Sequence, residues 1–117
     1  MEKVFKIGGI AGLQTGFGQS MKKAADLAVE EINAAGGAAG YKFTSEWFDT
    51  EGSAATGRTV AQRLITGGAD VIIGCHASTV VLAIQDLMSQ NKVLEIAMGS
   101  AEKIGELNNP WVVRVRE

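Results

Sequence analysis

The chain alternates short apolar runs with longer amphipathic segments, and this order restricts the possible folds more than any other feature of the sequence. Five runs have the composition of β-strands, at residues 4–10, 41–48, 70–74, 92–98 and 111–115. Three segments carry apolar residues at helical spacing, at about residues 20–35, 54–66 and 79–90. Strands that alternate with helices over short connections predict an α/β fold, with a doubly wound parallel sheet of about five strands and helices on both faces.

Two of these segments allow more detailed predictions. The first helix is predicted to place one group of apolar residues on a single face: Met21, Ala24, Ala25, Ala28 and Ile32. The strand at 41–48 alternates apolar and polar residues, which is typical of a strand with one wet face, so we expect it near an edge of the sheet.

Length and composition exclude several classes of protein. At 117 residues, 46% of them hydrophobic and 21% charged, residues 1–117 are expected to form one globular domain. A net charge of -2 with scattered Lys and Arg argues against a nucleic-acid partner. The segment MEKVFKIGG lacks the features of a secretory signal, so the protein is expected either to stay inside the cell or to have had an export signal removed.

Four loops are predicted to meet at one edge of the sheet. In parallel sheets ligands bind beyond the carboxyl ends of the strands, where loops lead into helices. The loops in question are AGLQTGFGQS, FDTEGS, GCHAST and AMGSAE. We therefore look for a ligand site among these loops.

The loop GCHAST, residues 74–79, supports two compatible interpretations. Ser78 is placed as the N-cap of the third helix, where its hydroxyl would accept from a free backbone N–H. The same free N–H groups, with the Ser78 and Thr79 hydroxyls, could instead bind a ligand carboxylate. In the loop AMGSAE, Ser100 and exposed backbone carbonyls could hold an ammonium group.

Nucleotide sites and catalytic sites have weaker support. The glycines at 8–18 are not followed by the Lys-Ser/Thr of a phosphate loop, and Met21 stands where a dinucleotide fingerprint needs glycine. Asp49 is nevertheless placed where an acid could bind a ribose, so a small nucleotide- or flavin-binding domain stays an alternative. Adjacent residues at a strand end point to opposite sides, so Cys75 and His76 are not expected to form a catalytic dyad.

The remaining expectations concern cofactors and the lone histidine. No Cys or His pair has metal-ligand spacing, and we expect neither a metal nor a cofactor. The single cysteine, Cys75, cannot form a disulfide within the chain. His76 is interpreted as a side chain at the edge of the predicted site.

Three stretches of the chain resemble a known family. They are IGGIAGLQTGFGQSMKKAADLAVEEINAAGG, AQRLITGGADVIIGCHAST and NNPWVVRV. They are similar to the N-terminal part of the type I periplasmic solute-binding proteins, in the leucine/isoleucine/valine-binding group of ABC-transporter receptors, and AVEEINAAGG is the most specific segment. The resemblance runs over nearly the whole chain. It implies a flavodoxin-like fold, equivalent to the first part of the N-terminal lobe of such a receptor.

The resemblance also implies a function and a set of site residues. Such receptors are not enzymes; they close over a small molecule, here a branched-chain amino acid or a related carboxylate, and present it to the membrane subunits of a transporter. A periplasmic or extracellular location follows. The positions that match the family's ligand loops are Ser78, Thr79, Gly99, Ser100 and Ala101. Phe17 matches an aromatic residue near the ligand, and with His76 it would shape the pocket.

This sequence departs from the family in three respects. Cys75 has no partner for the disulfide that is usual in the group, and AMGSAE replaces a run similar to Ala-Ala-Thr. Members of the family are also much longer than this chain. An isolated first lobe would expose an unpaired sheet edge, so we expect a homo-oligomer formed through that edge. A structural fragment that binds no ligand is the second alternative.

Overall fold

The computed structural model describes residues 3–98 and 108–115. Strands and helices alternate in the predicted order. The strands are β1 (Lys3–Ala11), β2 (Tyr41–Asp49), β3 (Val71–Ile73), β4 (Leu94–Ala97) and β5 (Val112–Arg114). The helices of the described residues are α1 (Gly16–Ala34), α2 (Ala54–Thr66) and α3 (Ser78–Asn91). The short turn or helix predicted through residues 101–106 lies outside the described residues.

The strands form one parallel sheet of five strands in the order β2-β1-β3-β4-β5. Along the sheet, the chain moves in one direction from β1 to β2 and in the other from β2 to β3, β4 and β5. Because parallel connections are right-handed, this reversal puts α1 on one face of the sheet and α2 and α3 on the other. The doubly wound fold with helices on both faces is thus confirmed, as is the edge position of β2.

The main core lies between the sheet and the helix pair α2 and α3. Its fully buried side chains include Ile10 and Ile72 from the sheet and Val80, Ile84 and Met88 from α3. Close approach of the two helices requires a glycine, since a Cβ added at Gly57 would lie 2.5 Å from Cγ1 of Val80. Burial of this apolar surface is the main source of stability for the fold.

The other face of the sheet is covered unevenly. Helix α1 packs on β1 and β2, and the Trp47 ring lies over Gly9 so closely that a Cβ there would be 2.1 Å from the indole. Beyond this region Ile73, Leu94 and Ile96 are only half-buried. At the β5 edge, Val113 is 46% exposed and Val115 54%. The described residues therefore leave part of an apolar sheet face in contact with solvent.

The structure corrects the predicted start and orientation of α1. The helix begins at Gly16 because the Thr15 hydroxyl accepts a hydrogen bond from the Gly18 N–H at 3.0 Å and caps it. Ala24 and Ala28, predicted on the inward face, are exposed. The half-buried positions of the helix instead include polar as well as apolar residues: Met21, Lys22, Ala25, Asp26, Val29, Ile32 and Asn33. Polar contacts explain this orientation, since Asp26 accepts from Ser45 on β2 at 3.3 Å.

No helix within the described residues is both long enough and apolar enough to cross a membrane.

Candidate functional site

A cavity of about 340 Å³ opens at the carboxyl ends of β1, β2 and β3. Three of the four loops predicted to meet at this edge of the sheet supply its walls, together with the first turns of α1. The lining residues are Gly12, Gln14, Thr15, Phe17, Gly18, Met21, Asp49, Thr50, Glu51, Gly52, His76 and Ala77. The cavity therefore occupies the place where ligands bind in doubly wound sheets, next to the reversal of strand order.

Asp49 joins two walls of the cavity. Its carboxylate accepts hydrogen bonds from the Leu13 N–H at 3.1 Å, the Gln14 side-chain amide at 3.1 Å and the Glu51 N–H at 2.8 Å. The hydrogen bond from the Glu51 N–H contributes most to lowering the pKa of Asp49, and the bonds from Gln14 and Leu13 act in the same direction. These contacts account for an acid at this position without a ribose.

Phe17 and His76 both line the cavity. Their rings are in contact, with centroids 4.2 Å apart and planes inclined by 37°. Phe17 comes from the first turn of α1 and is 54% exposed, while His76 comes from the loop after β3 and is also exposed. The two rings thus form an accessible aromatic surface that two separate segments build.

Ser78 does not cap α3 as predicted. Ala77 holds the N-cap position, without a hydrogen bond from its side chain, and its carbonyl accepts from the Val80 and Val81 N–H groups at 3.1 and 3.2 Å. Ser78 becomes the first helical residue and is half-buried, and Thr79 is exposed. Both residues lie just beyond Ala77, the last lining residue of this loop, so the amino end of α3 borders the cavity.

The fourth loop leaves the sheet next to the third. The Met98 N–H donates to the Cys75 carbonyl at 3.2 Å, which places the end of β4 beside the end of β3. Gly99, Ser100 and Ala101 lie outside the described residues, and their role stays a prediction.

Cys75 belongs to the core and not to the cavity. Its side chain is buried, and the thiol donates to the Ala77 carbonyl at 3.4 Å. Burial, with a smaller contribution from Glu95, raises the pKa of the thiol to about 12, so Cys75 is a poor nucleophile. His76, its neighbour, is exposed at the cavity, in keeping with the expectation that the two side chains point to different sides.

No three His, Cys, Asp or Glu side chains in the described ranges are grouped in a way that could hold a metal ion.

The sequence did not single out several lining residues. Thr15 and Gln14 precede α1, and Thr50, Glu51 and Gly52 follow β2. The loop that contains the last three was predicted to lie at this edge, but none of its residues was named as a contact. Two sequence features could have indicated these residues. Thr15 has the pattern of a helix N-cap, and it caps α1 here. Glu51-Gly52 has a turn pattern, and both residues have a positive φ angle here.

Comparison with known proteins places the chain in a family. The family model described as periplasmic binding protein matches residues 5–117. The Leu/Ile/Val-binding protein homolog 3 of Brucella melitensis is 32% identical over 87 residues, which are 74% of this chain and 24% of that protein. Homolog 2 of Brucella abortus is 33% identical over 91 residues, covering 78% of this chain and 24% of that protein. The chain thus spans about a quarter of the length of these curated relatives.

Solved structures agree on the fold. The substrate-binding protein LivJ of Streptococcus pneumoniae, in complex with isoleucine, has a TM-score of 0.87 at 23% identity, over 96% of this chain and 33% of that one. A solute-binding protein of an ABC transporter from Rhodopseudomonas palustris, in complex with 3,4-dihydroxybenzoic acid, has a TM-score of 0.79 at 29% identity, over 97% and 32%. Together with the match to the family model over residues 5–117, these relationships show that the chain belongs to the periplasmic binding protein family.

Proposed function

We propose that this chain supplies one wall of the solute site in a receptor of an ABC-type amino acid transport system. The solute would be a branched-chain amino acid or a related small carboxylate. The observation that carries the proposal is the cavity of about 340 Å³ at the carboxyl ends of β1–β3, with the paired Phe17 and His76 rings at its surface. Membership of a solute-binding family supports it.

The electrostatics near α3 favour an anionic group on the solute. The amino end of this 14-residue helix borders the cavity at Ala77, and first-turn N–H groups with the helix dipole attract carboxylates. In this proposal Ser78 and Thr79 contact the carboxylate, and Gly99, Ser100 and Ala101 contact the ammonium group. Phe17 and His76 pack against the side chain of the solute.

A benzoate-like solute is a second candidate. The aromatic surface of Phe17 and His76 suits stacking with a planar ring. The Rhodopseudomonas palustris protein that is 29% identical to this chain was solved with 3,4-dihydroxybenzoic acid, and another from that organism, 26% identical, with 4-hydroxybenzoate.

The wider context follows from the same proposal. Residues 1–117 would form one unit, equivalent to the first part of the N-terminal lobe, in a periplasmic or extracellular receptor that delivers solute to membrane subunits. We propose a binding role without catalysis. The cavity is open on one side, so we expect the chain by itself to bind its solute with a dissociation constant of about 1 mM or weaker. This value corresponds to a favourable binding free energy of roughly 4 kcal/mol.

Calorimetric titration with a panel of compounds tests this proposal. The panel contains isoleucine, leucine, valine, 4-hydroxybenzoate, AMP and FMN. Saturable binding of an amino acid or a benzoate, weakened by Phe17→Ala and unchanged by Leu27→Ala, supports it. Leu27 is the matched control because it lies on the same helix, is 56% exposed and does not line the cavity. Binding of AMP or FMN alone would favour the nucleotide alternative, and binding of nothing in the panel would favour the fragment without a ligand.

A further inference from the structure

Glu95 is a buried carboxyl group that has no hydrogen-bond partner among the described residues. The side chain lies on β4 with 0% of its surface exposed, and both carboxyl oxygens are unpaired within residues 3–98 and 108–115. Its register neighbours in the sheet are Ile72 on β3 and Val112 on β5. An ionised carboxylate in such surroundings would be strongly unfavourable, because nothing replaces the water that it loses on folding.

The groups packed around Glu95 do not offset a negative charge. From α3, the fully buried residues Val80, Val81, Ile84 and Met88 belong to the same core, and Asp86 pairs with Arg58 of α2 at the surface. From the loop after β3, Cys75 is a thiol whose own pKa Glu95 helps to raise.

Arg114 lies on the same face of the sheet as Glu95, on the neighbouring strand β5. Its register partner is Ala97, two residues beyond Glu95, and it has an interaction of its own. Burial alone therefore acts on Glu95, and it raises the pKa of the carboxyl to about 8.

Strand β4 connects this group to the cavity. The Glu95 N–H donates to the Trp111 carbonyl at 2.8 Å, which holds the segment before β5. Three residues further along, the Met98 N–H donates to the Cys75 carbonyl at 3.2 Å, directly before His76 and Ala77 of the cavity wall. A displacement of β4 would therefore change the position of the loop that follows it.

We propose that Glu95 is a proton-operated switch in the β3–β4–β5 half of the sheet, which stays packed only while this carboxyl is uncharged. Loss of the proton displaces β4, and with it the contacts at Trp111 and Cys75. The further consequence, that alkaline pH weakens solute binding by moving the loop after β4, rests on the proposed function. The switch itself does not require a ligand, so its test is independent of whether the chain binds one.

The direction of the effect follows from the two states. In the unfolded chain Glu95 ionises near its ordinary pKa, while in the folded chain it keeps its proton to a higher pH. The folded state therefore binds the proton more tightly, and stability falls as pH rises from the ordinary value to the raised one. For one proton the unfolding equilibrium constant rises by at most about tenfold per pH unit over this interval.

The test is urea unfolding of the whole chain between pH 5 and 9, followed by far-UV circular dichroism. We compare the wild type with Glu95→Gln, which keeps the shape but cannot ionise, and with Glu46→Gln as the matched control. Glu46 is an exposed glutamate on β2, in register with Gly8. We expect the urea midpoint of the wild type and of Glu46→Gln to fall with pH, and that of Glu95→Gln to be much less dependent on pH. If the urea midpoints of the wild type and of Glu95→Gln depend on pH in the same way, the proposal is overturned.

NMR of the wild-type chain gives a decision even if Glu95→Gln does not fold. With the glutamate carboxyl carbons labelled with ¹³C, we expect one resonance to titrate at alkaline pH. Amide signals of Met98 and Val112 should shift with the same midpoint, and amides of β2 should not. The proposal fails if every glutamate carboxyl titrates in the acidic range, or if β2 responds as strongly as β4 and β5.

Discussion

The Phe17 ring rests against the His76 imidazole, with the centroids 4.2 Å apart, and so joins the first turn of α1 to the loop after β3. The two residues are 59 positions apart in the chain. Neither belongs to the hydrophobic core. Their contact contributes to the shape of the cavity more than to the stability of the fold.

Replacing Phe17 with alanine should therefore impair binding and spare folding. We expect any solute that binds the chain to lose about fivefold in affinity, since a well-placed aromatic contact is worth roughly 1 kcal/mol. The melting temperature without solute should change little, because the ring is more than half exposed. Calorimetry and thermal unfolding of Phe17→Ala beside Leu27→Ala measure the two effects; unchanged affinity in Phe17→Ala would contradict this role.

Asp49→Asn should loosen the loops after β1 and β2. The neutral amide replaces a carboxylate that accepts three hydrogen bonds, and we expect a loss of roughly 1–2 kcal/mol in unfolding free energy near neutral pH. Because the folded-state pKa of Asp49 is lowered, its contribution is present above the ordinary carboxyl pKa and disappears as pH falls through the lowered value.

Urea unfolding between pH 2.5 and 7 checks this prediction about Asp49. Wild type and variant should converge in stability toward the acidic end of the range. Glu51→Gln is the control, since the neighbouring exposed side chain can be altered while its N–H still donates to Asp49. A constant difference between wild type and Asp49→Asn at all pH values would show that the charge is not responsible.

Gly57→Ala should destabilise the chain although alanine favours helices. The new methyl group would meet the buried, β-branched Val80 at 2.5 Å, and overpacking of this kind should outweigh the gain in helix propensity, for a net loss of about 1–2 kcal/mol. Gly16→Ala is the matched control, because no atom lies within 4 Å of a Cβ at that position of α1. The denaturant midpoints of both variants, and of the double variant Gly57→Ala/Val80→Ala, are measured. They separate the effect of crowding against Val80 from the effect of helix propensity. Full stability in Gly57→Ala would refute the close packing of α2 and α3.

The β5 edge predicts self-association of the chain. Val113 and Val115 are exposed on the same face of the sheet as α1, in the part that this helix does not cover, and β5 stands at the end of the described sheet. We expect dimers or larger species in sedimentation equilibrium, and a shift toward monomer when both valines are changed to lysine. Leu27→Lys, which places the same charge at an exposed leucine of α1, should leave the association constant unchanged. A monomeric wild type would contradict the expectation of a homo-oligomer.

Local sequence patterns predicted most of the fold. The range 54–66 of α2 agrees with the structure because a serine N-cap and a glycine C-cap bound the helix, with Ser53 accepting from the Thr56 N–H. The start of α1 was missed because Gly16 and Gly18 argue against a helix. The Thr15 side chain nevertheless caps the helix there, and the close approach to Gly12 requires a glycine at position 18. Ser78 looked like a cap on residue preference alone, but the carbonyl that begins the helix belongs to Ala77.

The candidate site was predicted at the level of loops and not of contacts. The edge of the sheet follows from strand order, since all carboxyl ends of a parallel sheet lie together. Contacts such as Asp49 to Leu13, between loops 36 positions apart, depend on how the loops fold against each other. The buried state of Glu95 was not foreseen either, because alternation along a strand does not tell which face a helix covers.

The hydrogen bonds of Asp49 have a consequence for how a solute would be received. They brace the first and second loops, and the ring contact of Phe17 braces the first and third, before any solute arrives. A preorganised cavity spares a ligand the entropic cost of ordering its walls. Association should therefore proceed at a rate set by diffusion and orientation, without a slow rearrangement of these loops.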